Sequence, residues 1–297
     1  MHVNHRTTKS GLKFSELSLG CMNLPLDYPE AKNILSTALD SEISYFDTAD
    51  LYNKGENETL LGRFFKENGH RHDVMIGSKV GNEFFRGSDE VRWNPSREHI
   101  MESVKDSLQR LGTDYLDLYM LHGGMIEDNK EETIEAFNIL KREGLIRAYG
   151  ISSIRPNVIR FYLDYSDIDV VMMQFNLLDN RPEMLTEEIA ARDVRILARG
   201  PVMKGLLTEQ YQDVLPKKFK EGLFDYSVEE LNTTLSQVQE PLTVSTMNYL
   251  LEQPVASIVA GASSVEQLTS NIDAYQQVDY HTHSRDRFHS INYEDHL

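Results

Sequence analysis

Apolar residues in this chain gather into short runs, and several of the runs stop abruptly at a polar side chain. Ile43, Tyr45 and Phe46 end at Asp47, Val74 to Ile76 lead into Ser78 and Lys79, and Leu116 to Leu121 lead into His122. Runs of this length, rich in β-branched and aromatic residues, are the pattern of buried strands. Between them the apolar positions fall three and four apart. Ile100, Val104, Leu108 and Leu111 form one such stripe, as a helix lying on a core does, and Gly112 follows as a C-cap residue. The pattern predicts strands over 17–22, 43–47, 73–79, 115–122, 146–152, 170–176, 194–199 and 256–260. It predicts helices over 29–42, 57–68, 96–111, 130–143, 156–166, 182–192, 243–252 and 265–276. Eight alternating strand and helix pairs predict a closed (β/α)8 TIM barrel rather than an open doubly wound sheet. Val170-Val171-Met172-Met173 is apolar throughout, as a parallel strand buried on both faces requires. Residues 6–14, with Ser10-Gly11 at their centre, predict an N-terminal β-hairpin, and the polar stretch 208–240 an inserted loop with one extra helix. The whole of 1–297 is expected to form a single barrel domain.

In barrels of this kind chemistry sits at the C-terminal ends of the strands. Asp47, Tyr52, Lys79 and His122 therefore converge if the strands that carry them are neighbours. Together they suit carbonyl reduction, which needs a hydride at carbon and a proton at oxygen. A tyrosine hydroxyl, with a pKa of about 10, is a poor acid unless its anion is stabilised. A lysine ammonium beside Tyr52 supplies that stabilisation, and the Asp47 carboxylate keeps the lysine charged in a desolvated mouth. The expectation is that Lys79 lowers the pKa of Tyr52, the proton donor, while His122 orients the carbonyl and stabilises developing oxyanion charge. Alone, each residue has a plainer role: Asp47 as a cap, Tyr52 as packing, His122 as a satisfied core residue. Their joint occurrence carries the reading.

These residues also carry a family resemblance. Phe46-Asp47-Thr48-Ala49 with Tyr52, then Ser78-Lys79, then Asp114-Tyr115-Leu116-Asp117-Leu118-Tyr119 running into Leu121-His122, resemble the aldo-keto reductases. The similarity extends from Ser10-Gly11-Leu12-Lys13 and Leu17-Ser18-Leu19-Gly20 to Ala260-Gly261-Ala262-Ser263-Ser264. It implies the same roles for the four residues, a small-molecule aldehyde or ketone substrate, and a nicotinamide cofactor, NADP (as NADPH) with NAD as the alternative. It further implies cofactor contacts from Ser152 and Ser153, the second departing from the usual Ser-Asn pair. Met172 falls where the family has a carboxamide-binding glutamine; Gln174 shares its strand face and is expected to take over the contact. Arg199-Gly200-Pro201-Val202 replaces the familiar Tyr-Ser-Pro-Leu, so the planar Arg199 is expected to stack on the nicotinamide in place of a tyrosine ring. Gly200 and Val202 follow as contacts, and Lys204 and Gly205 belong to the stretch along the pyrophosphate. Gly261, Ser263, Gln267 and Asn271 match the adenosine segment, opening a helix whose N-terminus favours phosphate. No arginine stands at 263 or 267 for a 2′-phosphate, which weakens the expectation of NADP.

Composition narrows the partners. With 47 acidic against 30 basic residues the net charge is -17, a field that repels polyphosphate and anionic membranes, so neither nucleic acid nor a membrane is an expected partner. The one cysteine, Cys21, excludes an intrachain disulfide and is expected as a small core residue. No run approaches the roughly 18 apolar residues of a membrane span. Met1 to Arg6 carry charge without the apolar stretch of a signal peptide, and a cytoplasmic location is expected. None of the 17 glycines lies two positions from another, so a dinucleotide would not bind in a Gly-x-Gly-x-x-Gly turn. His281, His283, His289 and His296 are expected in a solvated C-terminal tail rather than around a metal. Met22, Asn23, Phe84, Phe85, Trp93 and the stretch from Gly123 to Met125 are expected to select the substrate. Two rival functions stand beside reduction. One is a nicotinamide-binding redox sensor or regulatory subunit with little turnover. The other is a metal-dependent barrel hydrolase using His122 and Asp47 as ligands, for which a His-x-His on an early core strand and clustered carboxylates are missing. The oligomeric state is not legible.

Overall fold

The computed structural model describes residues 3–85 and 88–297; Met1 and His2 of the N-terminal stretch lie outside them. The chain opens with β1 (His5–Thr7) and β2 (Lys13–Ser15), paired antiparallel. There follow β3 (Leu17–Gly20), α1 (Tyr28–Asp40), β4 (Tyr45–Asp47), α2 (Glu56–Asn68), β5 (Met75–Val80), β6 (Asn82–Phe84), β7 (Val91–Trp93) and α3 (Arg97–Leu111). Next come β8 (Leu116–Leu121), α4 (Lys130–Arg142), β9 (Ile146–Ser152), α5 (Pro156–Tyr165), β10 (Val170–Gln174), α6 (Glu183–Ala190) and β11 (Arg195–Arg199). The last elements are α7 (Tyr211–Lys218), α8 (Val228–Ser236), α9 (Leu242–Glu252), β12 (Val255–Gly261) and α10 (Val265–Gln276).

The strands β3, β4, β5, β8, β9, β10, β11 and β12 close into one parallel barrel, with β12 returning to β3. Helix starts are set locally: Asp27, Ser96 and Ser264 each accept a hydrogen bond from the backbone N–H three residues on, capping α1, α3 and α10. Leu118, Met120, Ala148, Val170, Met172, Leu197 and Val259 fill the barrel interior, and Leu12 and Phe14 of the hairpin pack into the same cluster. Phe14 meets Tyr45 edge-on at 4.8 Å. The hairpin therefore closes one end of the barrel, and Asp169 fastens it by accepting from the hydroxyls of Thr8 and Ser10.

Three features depart from the expected pattern. A short hairpin, β6 and β7, follows β5, in a stretch too polar to read as strand. The insertion carries two helices rather than one, because Ser227 and Glu230 form a reciprocal capping box that starts α8 after the turn at Gly222. The C-terminal segment is packed rather than a free tail, although His281, His289 and His296 are exposed as expected. Phe288, Ile291 and Tyr293 are buried, His289 stacks on Tyr226 with ring centroids 4.1 Å apart, and His283 bonds Glu252 at 2.8 Å. Irregular backbone has no period, so its buried residues left no pattern to read. Among the described residues no helix is long and apolar enough to cross a membrane, and no three His, Cys, Asp or Glu side chains are grouped to hold a metal ion.

Candidate active site

Strand alternation decides which side chains reach the barrel mouth. Because Leu118 and Met120 point inward, so does His122; because Val170 and Met172 do, so does Gln174; and Leu197 brings Arg199 with it. The same parity carries Ala148 to Ser152, and Val259 to Gly261. Met172 lies one layer below Gln174, fully inside the core cluster, and it is Gln174 that sits at the rim in register with Arg199.

Asp47, Tyr52 and Lys79 meet directly. Lys79 is fully buried, and its ammonium donates to Asp47 Oδ2 at 2.7 Å, to the Thr48 carbonyl at 2.7 Å and to the Tyr52 hydroxyl at 3.3 Å. An ammonium has three N–H donors, and here each has an acceptor. Tyr45 donates its hydroxyl to Asp47 Oδ1 at 3.1 Å. This bond explains Gly77: a Cβ there would lie 2.1 Å from the Tyr45 oxygen. The Thr48 hydroxyl donates to Asn57 Oδ1, and the Asn57 amide nitrogen donates to the Cys21 carbonyl. Cys21 is buried beneath the mouth, and burial raises its thiol pKa, so it is a core residue as expected. His122 faces the Tyr52 ring edge-on at 5.9 Å, and its buried Nδ1 has no protein partner among the described residues.

The charges follow from burial and neighbours. Burial opposes the Lys79 ammonium, but Asp47 and Tyr52 outweigh it and hold its pKa above the ordinary lysine value. For Tyr52 the net direction is upward, although Lys79 pulls its pKa down as expected. Burial raises its pKa above 10, and the counter-pull of Lys79 does not overcome it. The hydroxyl thus keeps its proton. Burial, with the charges of Lys79 and Arg199 behind it, pushes His122 down to about 3, so its ring is neutral at physiological pH. A protonated phenol and a neutral imidazole over a fixed ammonium can donate to one oxygen and stabilise the charge left behind.

The other positions singled out in the sequence form an arc along the rim. Ser152 and Ser153 are buried at the end of β9, and Arg199 donates to Gln174 Oε1 at 3.2 Å. Gly200 and Gly205 both take positive φ; Val202 lies between them, and the Lys204 carbonyl accepts from Lys218. Gly261 ends β12, Ser263 and Gln267 bond one another at the start of α10, and Asn271 is buried one turn on. What the sequence did not reveal is the support: the Tyr45 and Thr48 contacts, and Trp93, which lies against Gly81 and Gly123 and donates to Asp128. Exact contacts of this kind between distant segments have no period.

The sequence pattern of the Aldo/keto reductase family matches residues 16–292. The chain belongs to the aldo-keto reductase family. It is an NAD(P)-dependent oxidoreductase of a family that acts on carbonyl compounds. The reductase is 48% identical over 272 residues to an uncharacterized oxidoreductase, YqkF, of Bacillus subtilis, covering 89% of this chain and 88% of that one. Among solved structures it is similar to the holo form of aldo-keto reductase AKR11C1 from Bacillus halodurans, with a TM-score of 0.94, 43% identity and 99% of both chains covered. A more distant relative, 28% identical over 91% of this chain and 87% of its own, is a putative voltage-gated potassium channel subunit beta of Schizosaccharomyces pombe.

Proposed function

We propose that this reductase converts an aldehyde or ketone reversibly to an alcohol, with Tyr52 as the proton donor. The observation that carries the reading is the Lys79 ammonium, buried and bonded at once to Asp47, Thr48 and Tyr52. Bound nicotinamide supplies the hydride to the carbonyl carbon. Tyr52 gives its proton to the carbonyl oxygen, and the Lys79 charge stabilises the tyrosinate that results. Asp47 keeps that charge in place. His122, neutral, donates to the same oxygen and orients it for attack.

The cofactor fits the rim residues. Among the described residues the amide nitrogen of Gln174 has only the Met203 sulfur, at 3.6 Å, as a partner, so it can take a stronger acceptor. With Ser152 and Ser153 it would hold the carboxamide, with Arg199 against the ring and Gly200, Val202, Lys204 and Gly205 along the pyrophosphate. Gly261, Ser263, Gln267 and Asn271 would take the adenosine. Ser263 and Gln267 are neutral and bonded to each other at 2.9 and 3.1 Å. NADPH is the family expectation, and nothing charged at these two positions bars NADH. The regulatory reading has a relative in the channel subunit, but a sensor has no need of a proton donor with a buried lysine behind it.

The test is fluorescence titration with NADPH and NADH, followed by a generic aldehyde. Tyr52→Phe is expected to lower the reduction rate by about 10²–10⁴-fold while leaving cofactor affinity nearly unchanged. A variant that keeps most of its rate would remove Tyr52 from the role of acid.

A further inference from the structure

Among the described residues, Lys79 and Arg199 project into the barrel mouth, and of the two only Lys79 is neutralised. Lys79 is paired with Asp47 at 2.7 Å. Arg199, half-buried at the end of β11, donates to the neutral amide oxygen of Gln174 at 3.2 Å. Among the described residues no carboxylate lies within ion-pair distance of it. A guanidinium cannot shed its charge in a protein, and half-buried charges normally find a counter-ion. Its field crosses the mouth: Arg199 contributes to the lowered pKa of His122 and pulls down against the raised values of Asp47 and Tyr52. Whatever ring binds beside Gln174 therefore meets a fixed, uncompensated positive charge.

Resting on the cofactor reading above, we propose that Arg199 makes this site prefer the reduced, uncharged nicotinamide over the oxidised, cationic one. The dihydronicotinamide ring is neutral. Loss of a hydride, one proton with two electrons, to the carbonyl carbon leaves a pyridinium of charge +1, while the carbonyl π electrons move to oxygen and take the proton of Tyr52. The two rings have nearly the same outline, so stacking and carboxamide contacts are common to both, and only the Coulomb interaction with Arg199 separates them. A tyrosine in this place would act in the opposite sense, because an aromatic face attracts a cation. Arginine thus converts a stacking position into a charge discriminator. Reduced cofactor is captured, oxidised cofactor is expelled, and turnover is biased toward carbonyl reduction with weak inhibition by the spent cofactor.

The experiment is to measure Kd for NADPH, NADP+, NADH and NAD+ in the wild type and in Arg199→Gln, Arg199→Lys and Arg199→Tyr. Contacts to phosphate and adenosine cancel in the ratio of oxidised to reduced Kd, which reads ring charge alone. The ratio is expected to fall about tenfold or more in the Gln and Tyr variants and to persist in the Lys variant. Should Arg199→Gln bind too weakly to titrate, Arg199→Tyr restores a planar surface without charge and carries the same comparison. Binding of both forms with an unchanged ratio overturns the inference and leaves the reductase reading intact. Failure of both the reduced and the oxidised forms to bind the wild type overturns both readings, and tighter binding of the oxidised form overturns the inference alone.

Discussion

Lys79 illustrates what burial demands of a single charge. Its ammonium survives without solvent because every proton has an oxygen to receive it, one of them the Asp47 carboxylate. The same burial keeps Tyr52 protonated past its ordinary pKa of 10 and holds His122 neutral down to about 3. Neither group titrates near neutrality. Tyr52 acts as an acid when protonated, so reduction holds on the acid side of its pKa and fails as pH rises through it. Alcohol oxidation needs the tyrosinate and runs the other way. The expected kcat/KM for reduction is flat from about pH 5 to about pH 10 and falls only beyond. A bell centred near neutrality, in initial rates across that range, would assign the proton transfers to other groups.

Elements differ in how they hold the site. Strand ends present Lys79, His122, Gln174 and Arg199 with little freedom, because the register of β5, β8, β10 and β11 is set by buried neighbours. The C-terminal segment is held by side-chain bonds instead of a ladder. Arg285 forms a two-pronged pair with Glu183 of α6 at 2.6 and 2.7 Å and also donates to the Phe288 carbonyl. Arg285→Ala leaves a half-buried carboxylate without its cation, with the Tyr249 hydroxyl still donating to it, and is expected to cost about 1–3 kcal/mol, seen as a lower Tm. Burial raises the Glu183 pKa, but its bonds to Arg285 and Tyr249 outweigh that and hold it below 4.5. A lowered carboxylate contributes stability above its unfolded pKa and loses it as pH falls through the folded one. The gap in Tm between wild type and variant should therefore be full at neutral pH and shrink in acid. Equal melting temperatures at neutral pH would mean the clasp holds nothing.

Closure of the barrel is what assembles the reductase. The rim residues proposed for the cofactor come from β9, β10, β11, β12 and α10, and their loops, so a ligand bound across them ties those elements together. Saturation at about a hundred times Kd is expected to add about 2.7 kcal/mol of stability, a rise of several degrees in Tm. Thermal melts with NADPH and NADH in turn would show it. An unmoved Tm with both would argue that neither binds the native fold.

The barrel itself was legible because it is made of repeated local patterns: apolar strands, striped helices and polar strand ends each report on a few consecutive residues. The approach of Asp47, Tyr52, Lys79 and His122 followed from that order, since consecutive strands in a parallel barrel are neighbours. The two-helix insertion and the packed C-terminal segment did not follow, because irregular backbone is stabilised by contacts with distant residues. Nor did the direction of the Tyr52 shift. Its neighbours are visible in the sequence, but depth is not, and burial outweighs the nearby charge. The alternation of Met172 and Gln174 was determined by the sequence; which of them stands at the mouth, and that Arg199 meets Gln174 there without a counter-ion, was decided only when the strands closed.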